Sequence, residues 1–550
     1  LRPQLSGGGT LLSPTDATDL INFTRGVDVY DEDKDGSTTD ERWKLADIYN
    51  SSPLPFGPPS AKNAAASKNT EAYYRSVNGY AAFKNNLRAR EKVILAGSNG
   101  GMLHAFTVAT GAEKWAFIPP SILENLKGIR SAKPNVTNSI FGVDGTVTVK
   151  DVRIGGTWKT IGIVGMGVGG KSYTALDLTD INSPKHLWTI KNDPGASKVI
   201  HWNAAGVKTE KMYASMGSHP EYNYSKLGDA VSTPRILLLP HFNSGTNQYV
   251  DKWVAIFGGG GNGGAATNYG SAVFVTDVSN GKLIKPIDVA DKPGNNVPNS
   301  VIASLVPVTA DTTSVANYKG ALVYFADFES KLWKLNLTNT GTQFELQQMF
   351  DGEATVANGR RVFHDVTLSL DENSKLYAFF GTGDRYNIAE EKSTLENRLY
   401  GIKDKNFPKF VSGLSSVTAQ QCKNMTSGSS TSCPTAGQHG WYINLDPNEK
   451  TSGSAAVADK MVYFSRYTPN KLNPCNPGTA KLSIHRYTCG DKIKEIDLGG
   501  GIASTPIIYK GKVYIGISGA PSQNLGTGWT SKDNLLIGTA VSSGGGSTNS

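Results

Sequence analysis

Residues 91 to 117 read EKVILAGSNGGMLHAFTVATGAEKWAF, and their pattern decides the fold class. The run KVILAGS at 92–98 is short, apolar and closed by a Gly-rich turn, and a second strand and a further turn follow in GMLHAFTVATGAEKW. Short runs rich in β-branched and aromatic residues between turn signals read as strands. This one is too apolar for a sheet edge, where part of the strand meets water. The same unit recurs at KTIGIVGM (159–166), WVAIFGG (253–259), LVYFADF (322–328), LYAFFGTG (376–383), MVYFSRY (461–467) and KVYIGIS (512–518). Several are followed by a second strand that ends in an Asp, Thr or Gly turn, as in SYTALDLT, AVFVTDVSNGKLI and SKLWKLNL. One such sheet cannot cover both of its own faces, so sheets stack around an axis. The prediction is an all-β chain, a β-propeller of about seven four-stranded blades over 91–540. Residues 1–90 form a lead-in that packs on it, and 541–550 form a disordered tail. A pair of β-sandwiches is the competing architecture, but sandwiches do not impose this repeating order. Helical periodicity is confined to short turns at 41–48 (ERWKLADI) and 121–126, and 61–71, 426–437 and the tail from 542 read as unstructured.

The composition fits a globular chain with many turns: 38% hydrophobic, 19% charged and 61 Gly among 550 residues. The formal charge is +8, yet Lys and Arg are scattered, and no basic run with interleaved aromatics marks a nucleic-acid surface. The longest apolar runs, such as ILLL at 236–239, are strand-length, short of the roughly 20 residues that cross a bilayer as a helix. The chain opens at Leu1 without Met, so a targeting peptide and an upstream domain are expected to have been removed.

All four cysteines fall in the last quarter, in turn-rich loops: Cys422 and Cys433 in CKNMTSGSSTSC, Cys475 and Cys489 in CNPGTAKLSIHRYTC. Neither pair has the CxxC spacing of a zinc site. Three connectivities are open. Local pairing, Cys422 with Cys433 and Cys475 with Cys489, is the simplest, and disulfides place the chain in an oxidising compartment.

The strings KLADIYNSSPLPFG (44–57), EKVILAGSNGGMLHAFTVATGAEKWAFIPPSIL (91–123), WKTIGIVGMGVGGKSYTALDLT (158–179), WVAIFGGGGNGG (253–264), FADFESKLWKLNL (325–337) and GTGDRY (381–386) together resemble the propeller of the PilC/PilY family of type IV pilus tip adhesins and assembly factors. The likeness runs along nearly the whole chain in the family's order, without the von Willebrand-type domain that some members carry. It implies a non-enzymatic protein that caps or primes a pilus, binds minor pilins in the tip complex and presents loops to a host-cell or abiotic surface. It also implies an extracellular place at the pilus tip or outer surface of a Gram-negative bacterium, reached through the periplasm. The family's calcium site linked to retraction control precedes the strand matching LVYFADF. Here that place reads ADTTSVANYKG, with only Asp311 and Asn317 as oxygen ligands.

A stronger acidic loop lies at 31–41, DEDKDGSTTDE. Carboxylates at positions 1, 3 and 5 with Gly at 6 follow the EF-hand order. The expected ligands of one Ca2+ are Asp31, Asp33, Asp35, the Ser37 carbonyl and Asp40, the last because position 12 is Arg42. Four carboxylates in five residues repel one another unless a cation offsets them.

Three other motifs point elsewhere. Gly165-Met-Gly167-Val-Gly169-Gly170 mimics a dinucleotide fingerprint, but a strand follows instead of the helix that pyrophosphate binding needs. Thr110-Gly111 with Trp115 resembles a docking repeat of quinoprotein dehydrogenases, the best enzymatic alternative; the chain lacks their adjacent cysteine pair, and blade packing explains the tryptophan better. His104 and His364, the latter beside Asp365, read as satisfied core imidazoles on apolar strands. Tyr222, Tyr224 and Trp529 read as candidate exposed contacts.

Overall fold

Each of the seven apolar runs becomes a strand with a hydrogen-bonded neighbour on both sides, and none stands at an edge. The computed structural model describes residues 2–7, 9–131, 141–243, 245–261, 269–289, 299–426, 432–470 and 477–541. The chain divides into two compact units, Leu1–Val289 and Ala290–Ser550.

In the first unit, the strands Leu54–Phe56, Val93–Ser98, Met102–Thr107 and Glu113–Phe117 pair antiparallel in that order as the first sheet. The second sheet runs from Thr148–Ile154 through Thr157–Gly165, Ser172–Asp177 and Lys185–Asp193. It then gains Lys198–Trp202 and Lys208–Met212 as an added hairpin, giving six strands where four were expected. The third, Arg235–Asn243, Gln248–Gly258, Ala272–Asp277 and Leu283–Asp288, has four.

In the second unit, four sheets start at Val306–Thr309, Thr367–Leu370, Lys450–Thr451 and Ile507–Tyr509. The fourth and fifth each acquire a short parallel strand, Val417–Thr418 and Lys423–Asn424, both from the connection between Arg398–Asp404 and Gly440–Asn444 of the fifth sheet. In the sixth, Lys450–Thr451 and Ala456–Ala458 both pair with Met461–Thr468. The surplus strands cover open rows of backbone donors and acceptors, which is why the strand count departs from a uniform four.

Neighbouring sheets are joined by tryptophan. Trp115 donates its indole N–H to the Ile181 carbonyl (2.9 Å), Trp188 to Val278 (2.7 Å) and Trp441 to Tyr487 (2.8 Å). The acceptors lie in the turns that follow the strands Ser172–Asp177, Ala272–Asp277 and Thr479–Arg486 of the next sheet. Trp188 and Trp441 are fully buried. Gly281 and Gly490 sit against their rings, where a Cβ would come within 2.6 Å of the indole. Several of these strands end in a side-chain-locked turn, in which Asp177 Oδ1 accepts from the Thr179 N–H (3.0 Å), Asp277 Oδ1 from Ser279 (2.9 Å) and Asn336 Oδ1 from Thr338 (3.0 Å).

The lead-in is more integrated than the sequence suggests. Leu54–Phe56 supplies an edge strand of the first sheet, so the sheet region begins well before residue 91. Residues 41–48 form no helix: after a single bridge at Glu41 they run without regular structure. After a single helical turn at Arg2–Leu5, the longer helices are Pro14–Thr24, Glu71–Val77 and Tyr80–Asn86, with a short 3-10 turn and helix over 120–131. Nor do residues 61–71 lack structure at their end, because Thr70 caps the second of these helices and Glu71 is buried. Glu71 accepts from Arg75 (2.7 Å), Lys150 (2.8 Å) and the Leu238 N–H (3.1 Å). Burial alone would raise its pKa, but Lys150 and Arg75 hold it below the ordinary value. Tyr80 packs edge-on against Trp158 at 4.8 Å, and Tyr74 against both Trp158 and Trp253. Tyr224 is fully buried and Trp529 nearly so, which removes both as surface contacts.

The cysteine pairing also differs. Cys433 bonds Cys489 across 56 residues, so neither Cys422–Cys433 nor Cys475–Cys489 forms; Cys475 lies outside the described residues. Cys422 is buried in the core shared by the fourth and fifth sheets, whereas Cys489 is buried in a separate core around Trp441. Burial pushes the Cys422 thiol up to about 12. A cross-link closing a loop of that length restricts the unfolded chain by about 4 kcal/mol.

If the indole bonds tie the sheets together, Trp188→Phe leaves the Val278 carbonyl without its donor and lowers stability by about 1–3 kcal/mol. Trp43→Ala, at a side chain 83% exposed, changes it by about 0.5 kcal/mol or less. Denaturant midpoints compare the two, and equal effects would show that the indole bond carries no special weight.

Candidate metal site

The loop at 31–41 is held at its base by an antiparallel bridge between Val27 and Glu41. The Asp28 N–H donates to the Asp40 carbonyl and the Arg42 N–H to the Gly26 carbonyl, both at 2.9 Å. Between these ends the backbone enters the left-handed region at Asp31, Lys34 and Gly36, a conformation that Gly and Asp tolerate best. Inward-pointing amides fix the carboxylates. Asp31 Oδ1 accepts from the Gly36 N–H at 3.1 Å, Asp33 Oδ1 from Asp35 at 3.3 Å and Asp35 Oδ1 from Ser37 at 2.7 Å. One oxygen of each of Asp31, Asp33 and Asp35 then lies within 4.8 Å of the others, and among the described residues this is the one such acidic group.

Of the remaining predicted ligands, Ser37 takes part through its amide, and Asp40 brings a buried Oδ1 that has no hydrogen-bond partner. Sequence reasoning missed Asp28. It is 3% exposed, its Oδ2 accepts from the Glu32 N–H (2.9 Å), and its Oδ1 is also buried without a partner. For Asp33 the Asp35 amide lowers the pKa, but desolvation and the charges of Asp35, Asp40 and Asp28 push the other way, and the net is upward. Crowded carboxylates and two orphaned buried oxygens form a donor set that fits a hard, oxygen-seeking dication. The segment around Asp311 forms no comparable group among the described residues, its turn being closed by Thr312 on the Thr309 carbonyl.

The other motifs resolve as packing. Gly165 to Gly170 is the tight turn between two strands, where a Cβ on Gly169 would meet the Gly142 carbonyl at 2.1 Å. His104 lies on a strand with no exposed surface, between Ser98 Oγ (2.9 Å) and Glu113 Oε1 (2.7 Å). Ser98 is 1% exposed, so this Ser-His-Glu line is an internal strut closed to substrate. His364 departs from expectation: it sits in a bend rather than a strand, and its Nε2 is buried without a partner.

A family model described as the PilY1 beta-propeller domain matches residues 45–428, beginning just after the acidic loop. The type IV pilus biogenesis factor PilY1 of Pseudomonas aeruginosa is 25% identical over 575 residues, covering 94% of this chain and 44% of that protein. A PilY1 homolog from Xylella fastidiosa is 25% identical over 502 residues, covering 84% of this chain and 30% of that one. The chain thus spans less than half the length of these curated relatives. The crystal structure of the P. aeruginosa PilY1 C-terminal domain superposes with a TM-score of 0.55 at 18% identity, covering 84% of this chain and 95% of that domain.

Two histidines give the second unit a pH dependence. Burial, with Arg385 nearby, holds His364 down to about 4, and burial likewise holds His485 to about 4 although its Nδ1 bonds the Gly490 carbonyl at 3.0 Å. Each stays neutral in the fold while the unfolded chain takes up a proton near pH 6.5. Their contribution is complete above that pH and is lost as pH falls toward 4, by about 1.4 kcal/mol per histidine per pH unit. Unfolding curves between these limits should be steeper in pH for the parent than for the pair of substitutions His364→Gln and His485→Gln; identical slopes would refute the assignment.

Proposed function

The chain belongs to the PilY1 β-propeller family, and from that premise we propose that it is a non-enzymatic, calcium-binding component of the type IV pilus system. It acts in pilus assembly and retraction control and as a tip adhesin, at the surface of a Gram-negative cell. The family match over 45–428 carries this reading. The curated relatives are pilus biogenesis factors by name, and the Cys433–Cys489 bond suits a chain exported to an oxidising space. In this reading the sheets are a rigid frame and the long connections do the recognising, with minor pilins on one side and a surface receptor on the other.

Asp31, Asp33 and Asp35 would hold the calcium ion, with Asp40 and Asp28 nearby, each contributing one buried carboxylate oxygen. The bound ion would neutralise their mutual repulsion and pin the chain between Val27 and Arg42.

Calcium at a hundredfold excess over Kd should stabilise the wild type by about 2.7 kcal/mol relative to the same protein in EGTA. Asp33→Ala with Asp35→Ala should abolish that difference, and a wild type whose melting curve ignores calcium would remove the metal from the proposal. Deletion of the gene should reduce piliation or surface attachment, scored by electron microscopy. Normal numbers of functional pili with unchanged attachment would overturn the pilus reading.

A further inference from the structure

The seventh sheet is apolar on both faces, and one of them is bare. Its strands lie in the order Ile507–Tyr509, Lys512–Gly516, Leu535–Thr539 and Trp529–Lys532. Residues opposite one another in a ladder share a face, and successive residues along a strand alternate. The register therefore puts Ile508, Val513, Ile515 and Leu536 on one face, which packs into the core shared with the sixth sheet. On the other face Ile507, Tyr514, Ile537 and Thr530 form the middle row. Tyr509 and Lys512 flank that row at one end, Leu535 and Lys532 at the other. Ile507 is 64% and Tyr509 60% exposed, Leu535 is exposed, and Tyr514 and Ile537 are half-buried. Strands that are apolar on both faces are ordinarily covered on both.

The charge on the bare face has one sign. Between residues 498 and 550 Asp533 is the one acidic residue, against Lys510, Lys512 and Lys532. Lys512 stands across the ladder from Tyr509 and Lys532 from Leu535, while Lys510, in the turn, lies 5.3 Å from the Tyr509 ring. Among the described residues none of the three lysines has an ion pair or a side-chain hydrogen bond, and neither do the Tyr509 and Tyr514 hydroxyls. Each of these groups has a proton to donate, so the complementary surface is apolar and carries carboxylates.

We propose that this face docks one amphipathic helix of a partner protein, its apolar stripe on Ile507, Tyr514 and Ile537 and its carboxylates toward Lys512 and Lys532. A helix laid on a sheet is a common way of closing an open sheet face. Four strands about 4.8 Å apart and three rows of side chains give a face of about 14 by 14 Å, which a helix of about three turns spans. A stable dimer of whole chains buries about 800 Å² on each partner, several times that area, and two copies set face to face would oppose their lysines. Charge-driven anchoring to anionic lipid draws on about four to eight basic residues, more than this face has. The cellular identity of the helix rests on the assembly reading above, but the binding does not.

The test uses the whole chain and a fluorescein-labelled synthetic helix of about 14 residues, roughly four turns, with Leu along one stripe and Glu beside it. Its twin carries Lys in place of Glu. Fluorescence anisotropy should show the Leu/Glu peptide binding at least about tenfold more tightly than the Leu/Lys twin. Ile507→Ser should weaken the acidic peptide several-fold, and Lys512→Glu with Lys532→Glu should reverse the preference between the twins. Because all three sites are exposed, these variants should melt within about 2 °C of the parent without peptide; a larger loss would show that the chain itself already covers the face, and overturns the proposal. It is equally overturned if neither peptide binds, if both bind alike, or if the double charge reversal binds like the parent. Flotation with phosphatidylglycerol-containing vesicles that Ile507→Ser abolishes would assign the face to a lipid surface, and a dimer in sedimentation that Ile507→Ser dissolves would assign it to a second copy; either result overturns the helix. Failure here removes this face alone, whereas a deletion strain with normal pili removes the pilus reading alone.

Discussion

A four-stranded antiparallel sheet has two apolar faces and no means of covering either by itself, and every other feature of this chain follows from that constraint. The solution visible at Trp115, Trp188 and Trp441 is to send a large flat side chain onto the neighbouring sheet and anchor its one polar atom on a backbone carbonyl there. Area burial supplies the attraction, and the indole bond supplies the register, because a tryptophan shifted by one residue would bury an unpaired N–H. The acceptor turn has its own demand. It must present a carbonyl outward while leaving room for the ring, which is why a glycine stands at 281 and 490.

This arrangement explains what was legible in the sequence. The seven apolar runs announced themselves because a strand with hydrogen-bonded neighbours on both edges, in a sheet packed against another sheet, has little place for polar residues. The Asp-x-Thr and Asp-x-Ser turns were visible as turn chemistry. The recurrence of the tryptophan joint was not: only Trp115 carries the Thr-Gly signature, and Trp188 follows SPKHL while Trp441 follows GQHG. The geometric role is set by position in the sheet rather than by local spacing. The surplus strands were equally hidden, since Lys423–Asn424 and Val417–Thr418 are two residues each and owe their conformation to the edge they cover.

Long-range polar closure marks the limit of local reading. Cys422 and Cys433 stand close in sequence and look like a pair, yet they lie beside two different cores. Cys422 is drawn into one by burial, while Cys433 is left to meet Cys489 beside the other. Glu71 shows the same thing with charge. In sequence it ends a bland Ala/Lys/Asn stretch, but in the fold its carboxylate is the point at which Arg75, Lys150 and the Leu238 amide converge, and breaking any one of them would leave charge uncompensated in the interior.

The acidic loop is a mixed case, and its physics is the most instructive. Spacing alone pointed to Asp31, Asp33 and Asp35, and the turn gathers one oxygen of each within 4.8 Å of the others. Asp28 escaped notice because it precedes the loop, and what draws it in is the base of the loop: its amide pairs with the Asp40 carbonyl, which sets the buried Asp28 beside the half-buried Asp40. Two carboxylate oxygens buried without donors are expensive, and three more carboxylates nearby raise that cost. A sequence that accumulates this much negative charge around a strained turn can lower its energy by protonation or by binding a cation. Backbone N–H bonds to Asp31, Asp33 and Asp35 already hold one oxygen of each in place within the turn, so a single cation set among them would offset all three charges at once.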